Sequence, residues 1–170
     1  MMSRRNTLFS VLGLGAVTAT LNSVVAGLRS RPGDAPAPQG RSYEFKLSPA
    51  EWKQRLKPDA YYVLRQAGTE RPGSSPLNQE KRAGVFSCAG CALPLFSSST
   101  KFESGTGWPS FWKPLADAVV ENTDTTLFMK RTEILCRRCG GHLGHVFNDG
   151  PPPTRLRYCM NGVALNFKEA

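Results

Sequence analysis

The chain has 170 residues and a formal net charge of +9, with 40% hydrophobic and 21% charged residues. That is enough chain for one domain with a buried core. The charge does not point to nucleic acid: Arg4, Arg5, Arg29 and Arg31 lie in the first 31 residues, which hold no acidic residue, and the remaining Lys and Arg are scattered rather than striped.

In chain order, Ser3-Arg4-Arg5 precedes an uncharged stretch, residues 6–28, with Val24-Val25-Ala26 as a cleavage context. Leu8 follows Arg5 by three, as in a twin-arginine export signal, although Thr7 stands where an aromatic is usual. Residues 1–31 are therefore expected to be a twin-arginine-like signal directing export to the periplasm. The alternative is an uncleaved membrane anchor, since the stretch is long enough to span a bilayer. Residues 32–42, rich in Pro and Gly, read as a linker, and 43–170 as the domain.

Ser48-Pro49-Ala50-Glu51 carries an N-cap, a proline at the first helical position and a capping-box glutamate, with Trp52 and Leu56 on one face. Pro58 ends this helix, and residues 59–66 suit a second one closed by Gly68. After Gly84, short apolar runs (85–86, 93–96, 118–120, 126–129, 146–147 and 156–167) alternate with Gly, Pro, Ser and Asp. The expected fold is mainly β: two antiparallel sheets curled toward a barrel, with short N-terminal helices and a four-cysteine zinc site.

Four of the five cysteines form two C-x-x-C turns, Cys88/Cys91 and Cys136/Cys139. Each turn can aim two thiolates at one ion, and Gly140 permits the positive-φ turn beyond the second pair. Two such knuckles make a closed tetrahedral shell suited to one structural zinc. A thioredoxin-like redox pair is the alternative, but neither motif opens a helix.

The fifth cysteine lies in Arg157-Tyr158-Cys159-Met160-Asn161. In a strand, Arg157, Cys159 and Asn161 share one face and Leu156, Tyr158 and Met160 the other. The adjacent arginine is expected to lower the thiol pKa and favour a nucleophilic thiolate. An inert buried thiol is the alternative. The apolar phase flips after Gly162, which suggests a bulge or bend.

The only two histidines, His142 and His145, sit in what reads as a Gly-rich loop just past the second knuckle. With four cysteines filling the shell they are free for proton transfer; zinc ligation or a purely structural role is the alternative. Trp108, in the loop Gly105-Thr106-Gly107-Trp108-Pro109, is either a pocket wall for a methyl group or sulfur, or a loop anchor.

These segments together, with Thr69-Glu70-Arg71-Pro72, residues 101–111 and residues 141–150, resemble the B-type methionine sulfoxide reductases over about residues 44–170. The resemblance implies thiol-dependent reduction of methionine-R-sulfoxide, in oxidised proteins or peptides and as the free amino acid. It implies Cys159 as nucleophile, Trp108 and Phe147 at the substrate, and His142, His145 and Asn161 around the sulfoxide. Arg157 and Asp149 take supporting positions, and Cys88, Cys91, Cys136 and Cys139 the zinc. A monomer is expected, with no nucleic-acid partner.

One departure bears on mechanism. Many relatives carry a resolving cysteine where this chain has Thr106, so the Cys159 sulfenic acid is expected to be reduced by an external thiol, thioredoxin-like or small. A zinc-ribbon interaction module would explain the paired cysteines but not the Arg157–Cys159–Asn161 face. A thiol–disulfide oxidoreductase would need a metal-free, redox-active C-x-x-C.

Overall fold

The computed structural model describes residues 41–125 and 130–170. The leader, most of the 32–42 linker and the expected strand at 126–129 lie outside the described residues.

Helix α1 (Pro49–Arg55) begins with the anticipated capping box: the Glu51 N–H donates to Ser48 Oγ (3.3 Å) and the Ser48 N–H to Glu51 Oε2 (2.7 Å). Its Trp52 is buried, and so is the following Leu56. Pro58 does more than stop this helix, since it opens α2 (Pro58–Gln66), which buries Ala60, Tyr61, Val63 and Leu64. Ala67, not Gly68, takes the left-handed conformation at the end (φ 52°). The N–H groups of Ala67 and Gly68 both donate to the Tyr62 carbonyl. At Gly68 the Tyr62 ring packs over the backbone, and a Cβ there would have to push that ring aside.

Among the described residues nine strands follow: β1 (Gly84–Cys88), β2 (Pro94–Ser97), β3 (Lys101–Phe102), β4 (Ser110–Phe111), β5 (Val119–Asp124), β6 (Arg131–Cys136), β7 (His142–Phe147), β8 (Arg157–Met160) and β9 (Leu165–Glu169). They form two antiparallel sheets, β2-β1-β9 and β3-β4-β8-β7-β6-β5. Aromatic side chains join the sheets. Phe86 and Phe96 pack on Phe111 with ring centroids 5.0 and 4.4 Å apart, and Phe96 reaches Tyr158 at 6.0 Å. All but Tyr158 of these are 0% exposed, so the core lies between the sheets.

Three features depart from the sequence expectation. Strand β6 lies in a segment that starts Arg131-Thr132-Glu133, where polar residues hide the strand; all three are half-buried, and Arg131 and Glu133 line cavities. The histidine segment is strand β7, not a loop. The C-terminal run is two strands in different sheets. A 3-10 turn at Gly162–Ala164 carries the chain from β8 to β9, so the phase change marks a change of sheet rather than a bulge.

Candidate active site

One row of paired residues crosses the larger sheet. From β5 to β3 it reads Asn122, Glu133, His145, Cys159, Ser110 and Phe102, each the Cα partner of the next. Directly opposed residues of antiparallel strands carry neighbouring side chains on one face. The pairing alone therefore sets the His145 imidazole on one side of the Cys159 thiol and the Ser110 hydroxyl on the other.

A bulge brings in the second histidine. The β6–β7 register shifts so that Leu135 opposes His142 while Ile134 opposes Gly144. His142 and His145, three apart, would lie on opposite faces of a regular strand, but the extra residue puts both on one. Their rings meet edge-on with centroids 5.4 Å apart. Gly144 lies where β7 comes closest to β8, and a Cβ there would collide with the Cys159 carbonyl.

Each imidazole has a carboxylate partner that sequence reading missed. His142 Nδ1 is 2.7 Å from Glu133 Oε1, and His145 Nε2 is 2.8 Å from Asp124 Oδ2. Asp124 also pairs with Arg131 at 2.7 Å. Nothing in the local spacing identifies these acids, since the sheet register brings them in from β5 and β6. Burial pushes the Glu133 carboxyl up, yet hydrogen bonds from His142 and Asn122 hold it below the usual range. Burial also holds His145 below the ordinary histidine value, outweighing the Asp124 hydrogen bond.

Beside this row opens a cavity of about 140 Å³. Its lining includes the expected Trp108, His145, Phe147, Cys159 and Asn161, and adds Thr69, Arg131 and Gly144. Trp108 lines the cavity, and its indole N–H donates to the Glu70 carbonyl (3.2 Å). Asn161 accepts from the Glu70 N–H (3.0 Å) and donates one amide hydrogen to the Leu143 carbonyl (3.0 Å), and its other amide N–H takes no partner among the described residues. The Glu70 carboxylate accepts from the Gly162 and Val163 N–H groups at 2.5 and 3.0 Å. Glu70 thus ties the tryptophan loop to the turn after β8. It lies in a segment singled out from sequence, though without a role.

His142, Arg157 and Asp149 stand outside that lining. His142 borders a second cavity of about 440 Å³, and its buried Nε2 has no hydrogen-bond partner among the described residues. Arg157 binds Asp149 through two hydrogen bonds of 2.8 Å and stacks on the Phe147 ring at 4.4 Å. This corrects the expectation for Cys159. Burial pushes the thiol up, and that outweighs the Thr106 hydroxyl, the Arg157 charge and the Ser110 hydroxyl, which pull it down. The arginine acts in the expected direction, but its fork is committed to Asp149.

The other four cysteines gather elsewhere. Cys88 ends β1 and Cys136 ends β6, and each is followed by a turn in which a left-handed residue, Ala92 (φ 61°) or Gly140 (φ 68°), donates its N–H to the first cysteine's carbonyl at 2.8 Å. The four sulfurs are buried and lie within 4.8 Å of one another, with Cys88–Cys139 at 3.7 Å and Cys91–Cys136 at 3.5 Å. A tetrahedral ion with ~2.3 Å thiolate bonds needs sulfur–sulfur edges of about 3.8 Å. The four cysteines can therefore hold one metal ion, which would staple the two sheets together. The helices cover this end: Arg55 Nε donates to the Gly90 carbonyl (2.7 Å) and Arg65 Nη1 to that of Cys139 (3.1 Å).

A mainly β domain with a half-buried thiol between a histidine–carboxylate pair and a serine, and a four-sulfur centre on separate turns, defines a class that the comparisons identify. The SelR domain model matches residues 56–169. The chain is 59% identical over 122 residues to a peptide methionine sulfoxide reductase MsrB of Methanosarcina barkeri, covering 71% of this chain and 86% of that one. It is 57% identical over 119 residues to the protein of that name from Pseudomonas putida (69% and 90%), and 52% over 129 residues to that from Leptospira interrogans (75% and 98%). The chain belongs to the SelR-domain family, that of the B-type peptide methionine sulfoxide reductases.

Proposed function

We propose that the protein reduces methionine-R-sulfoxide, in oxidised proteins and peptides and as the free amino acid, with Cys159 taking the oxygen. The observation that carries this reading is the cross-strand row: His145 and Ser110 flank Cys159 beside a cavity walled by Trp108 and Phe147. The substrate methyl lies against the Trp108 ring, and the sulfoxide oxygen is turned toward His145 and the free amide N–H of Asn161. Holding three substituents of a chiral sulfur in this way selects one epimer.

The Cys159 thiolate attacks the sulfoxide sulfur while His145, with His142 behind it, delivers a proton to the oxygen. The protonated oxygen passes from the substrate sulfur to the Cys159 sulfur, the S–O bond of the substrate and the S–S bond formed by the attack both break, methionine leaves as the thioether, and Cys159 becomes a sulfenic acid. Sulfur of the substrate is reduced by two electrons and Cys159 oxidised by two. Arg157 and Asp149 hold Phe147 and the β8 strand in place. Two molecules of an external thiol, or one dithiol, then return Cys159 to the thiol, releasing water and a disulfide. The four metal-site cysteines are no substitute. Cys136 is three residues along β6 from Glu133 and two strands from Cys159, which at strand spacings is about 14 Å. The ion at Cys88, Cys91, Cys136 and Cys139 is one structural zinc, as four soft thiolates in a closed shell favour. Zinc held there supplies folding stability, not chemistry.

An interaction module built on the cysteine turns would not need the His145–Cys159–Ser110 row. A disulfide oxidoreductase would need one C-x-x-C pair free of metal. Residues 1–31 are proposed to direct export to the periplasm, which N-terminal sequencing of the protein from fractionated cells tests.

The reaction is tested by supplying the zinc-loaded protein with dithiothreitol and each epimer of a peptide-bound methionine sulfoxide. Turnover of the R epimer alone, lost in Cys159→Ser, is the expected result. Turnover of the S epimer, or activity surviving in Cys159→Ser, would overturn the reading.

A further inference from the structure

The hydroxyl groups on the side of Cys159 away from His145 take no part in the reaction as drawn above. Ser110 is fully buried on β4. Its hydroxyl donates to the Trp108 carbonyl at 3.2 Å and lies 2.7 Å from the Ser104 hydroxyl. Ser104 Oγ is 2.8 Å from Thr106 Oγ1, which is 3.8 Å from Cys159 Sγ. The hydroxyls form a chain from a fixed backbone carbonyl to the reacting sulfur.

Each hydroxyl has one proton to donate and two lone pairs to accept with. While Ser110 donates to the Trp108 carbonyl, the proton between Ser104 and Ser110 must come from Ser104; the Ser110 hydroxyl also favours the Cys159 thiolate directly, but less than Thr106 does. Thr106 then has two choices, Ser104 or Cys159. While Cys159 is a thiol, its S–H donates to Thr106, and Thr106 donates to Ser104. Once the thiol proton leaves, the sulfur can only accept, and Thr106 turns to donate to it. Ser104 loses little in that turn, since the Thr106 backbone N–H already donates to its oxygen at 3.4 Å. Arg157 adds its charge and a weaker hydrogen bond to the sulfur, while its Nε and Nη2 stay on Asp149.

We propose that Ser110 and Ser104 are positioning residues that orient Thr106 as the hydrogen-bond donor to the Cys159 thiolate, making Thr106 a catalytic residue; the proposal rests on Cys159 being the nucleophile. Burial raises the cost of ionising this thiol, and a donor that arrives as the proton departs offsets part of it.

The test needs no turnover. In the full-length, zinc-loaded protein the rate of Cys159 alkylation by iodoacetamide is followed against pH, by mass spectrometry of the Cys159 peptide. Thr106→Val keeps the shape and removes the donor. Its profile should move about one pH unit upward, with a roughly tenfold slower rate at neutral pH, the worth of one hydrogen bond to a charged group. Thr106→Ser should restore the parent profile, and Ser104→Ala should move it in the same direction by less. A Thr106→Val profile superimposed on the parent would overturn the proposal. Should Thr106→Val not fold, an unmoved Ser104→Ala profile would do so. The shift without any sulfoxide reduction would instead refute the reductase reading and leave the ladder standing.

Discussion

Removing the metal should unfold the domain rather than merely slow it. Cys88 and Cys139 are 51 residues apart, the first at the end of β1 in the smaller sheet and the second in the turn after β6 of the larger one. Treated as a cross-link, closure of a loop of that length is worth about 4 kcal/mol of unfolded-chain entropy. That is a lower bound, because structural zinc in small peptides binds with about 10–16 kcal/mol, against a total domain stability of about 5–15 kcal/mol. For a domain of this size about 3 °C accompanies each kcal/mol, so the melting temperature should fall by at least about 10 °C. Calorimetry of the full chain before and after chelation, under reducing conditions and with zinc quantified, checks this. Cys139→Ala should behave like the chelated protein. A zinc-free protein melting within about 3 °C of the loaded one would refute the idea that the four sulfurs staple the sheets.

The pH profile follows from the two shifted groups. The competent form carries a thiolate on Cys159 and a proton on His145. With His145 held below about 6.5 and Cys159 above about 8.5, kcat/KM should rise through the histidine value, run level, and fall above the thiol value. In His145→Gln the profile should simply rise with thiolate formation, at a rate ~10²–10⁴-fold lower; an unchanged plateau would exclude His145 as the proton donor. Glu70→Ala removes the acceptor for the Gly162 and Val163 N–H groups and should cost about 1.5–3 kcal/mol of stability, read from urea unfolding, with a raised KM. Thr106→Cys puts a second sulfur within reach of Cys159, so a single turnover should end in a disulfide between residues 106 and 159, seen by peptide mapping.

The helices were legible because their signals are local: Ser48, Pro49 and Glu51 state a capping box within four residues. The two cysteine turns were legible for the same reason. Cys159, His145, Trp108, Phe147 and Asn161 could be named from sequence, and the structure brings all five to one cavity. The carboxylates Asp124 and Glu133 could not, because only the β5–β6–β7 register places them beside the histidines. The same register makes His142 and His145 neighbours through a bulge that their spacing does not announce. Arg157 was given its direction but not its weight, since its engagement by Asp149 and the burial of the thiol are tertiary facts.

The central claim is that oxygen passes from the sulfoxide to Cys159. It is tested most directly by one turnover without any thiol reductant, on the zinc-loaded protein and methionine-R-sulfoxide, with dimedone present and the cysteine peptides mapped by mass. The account predicts one methionine per chain and a dimedone adduct on Cys159 alone, with the four metal-site cysteines unmodified. Methionine formed without an adduct at Cys159, or with Cys159 in a disulfide to one of those four, would contradict it.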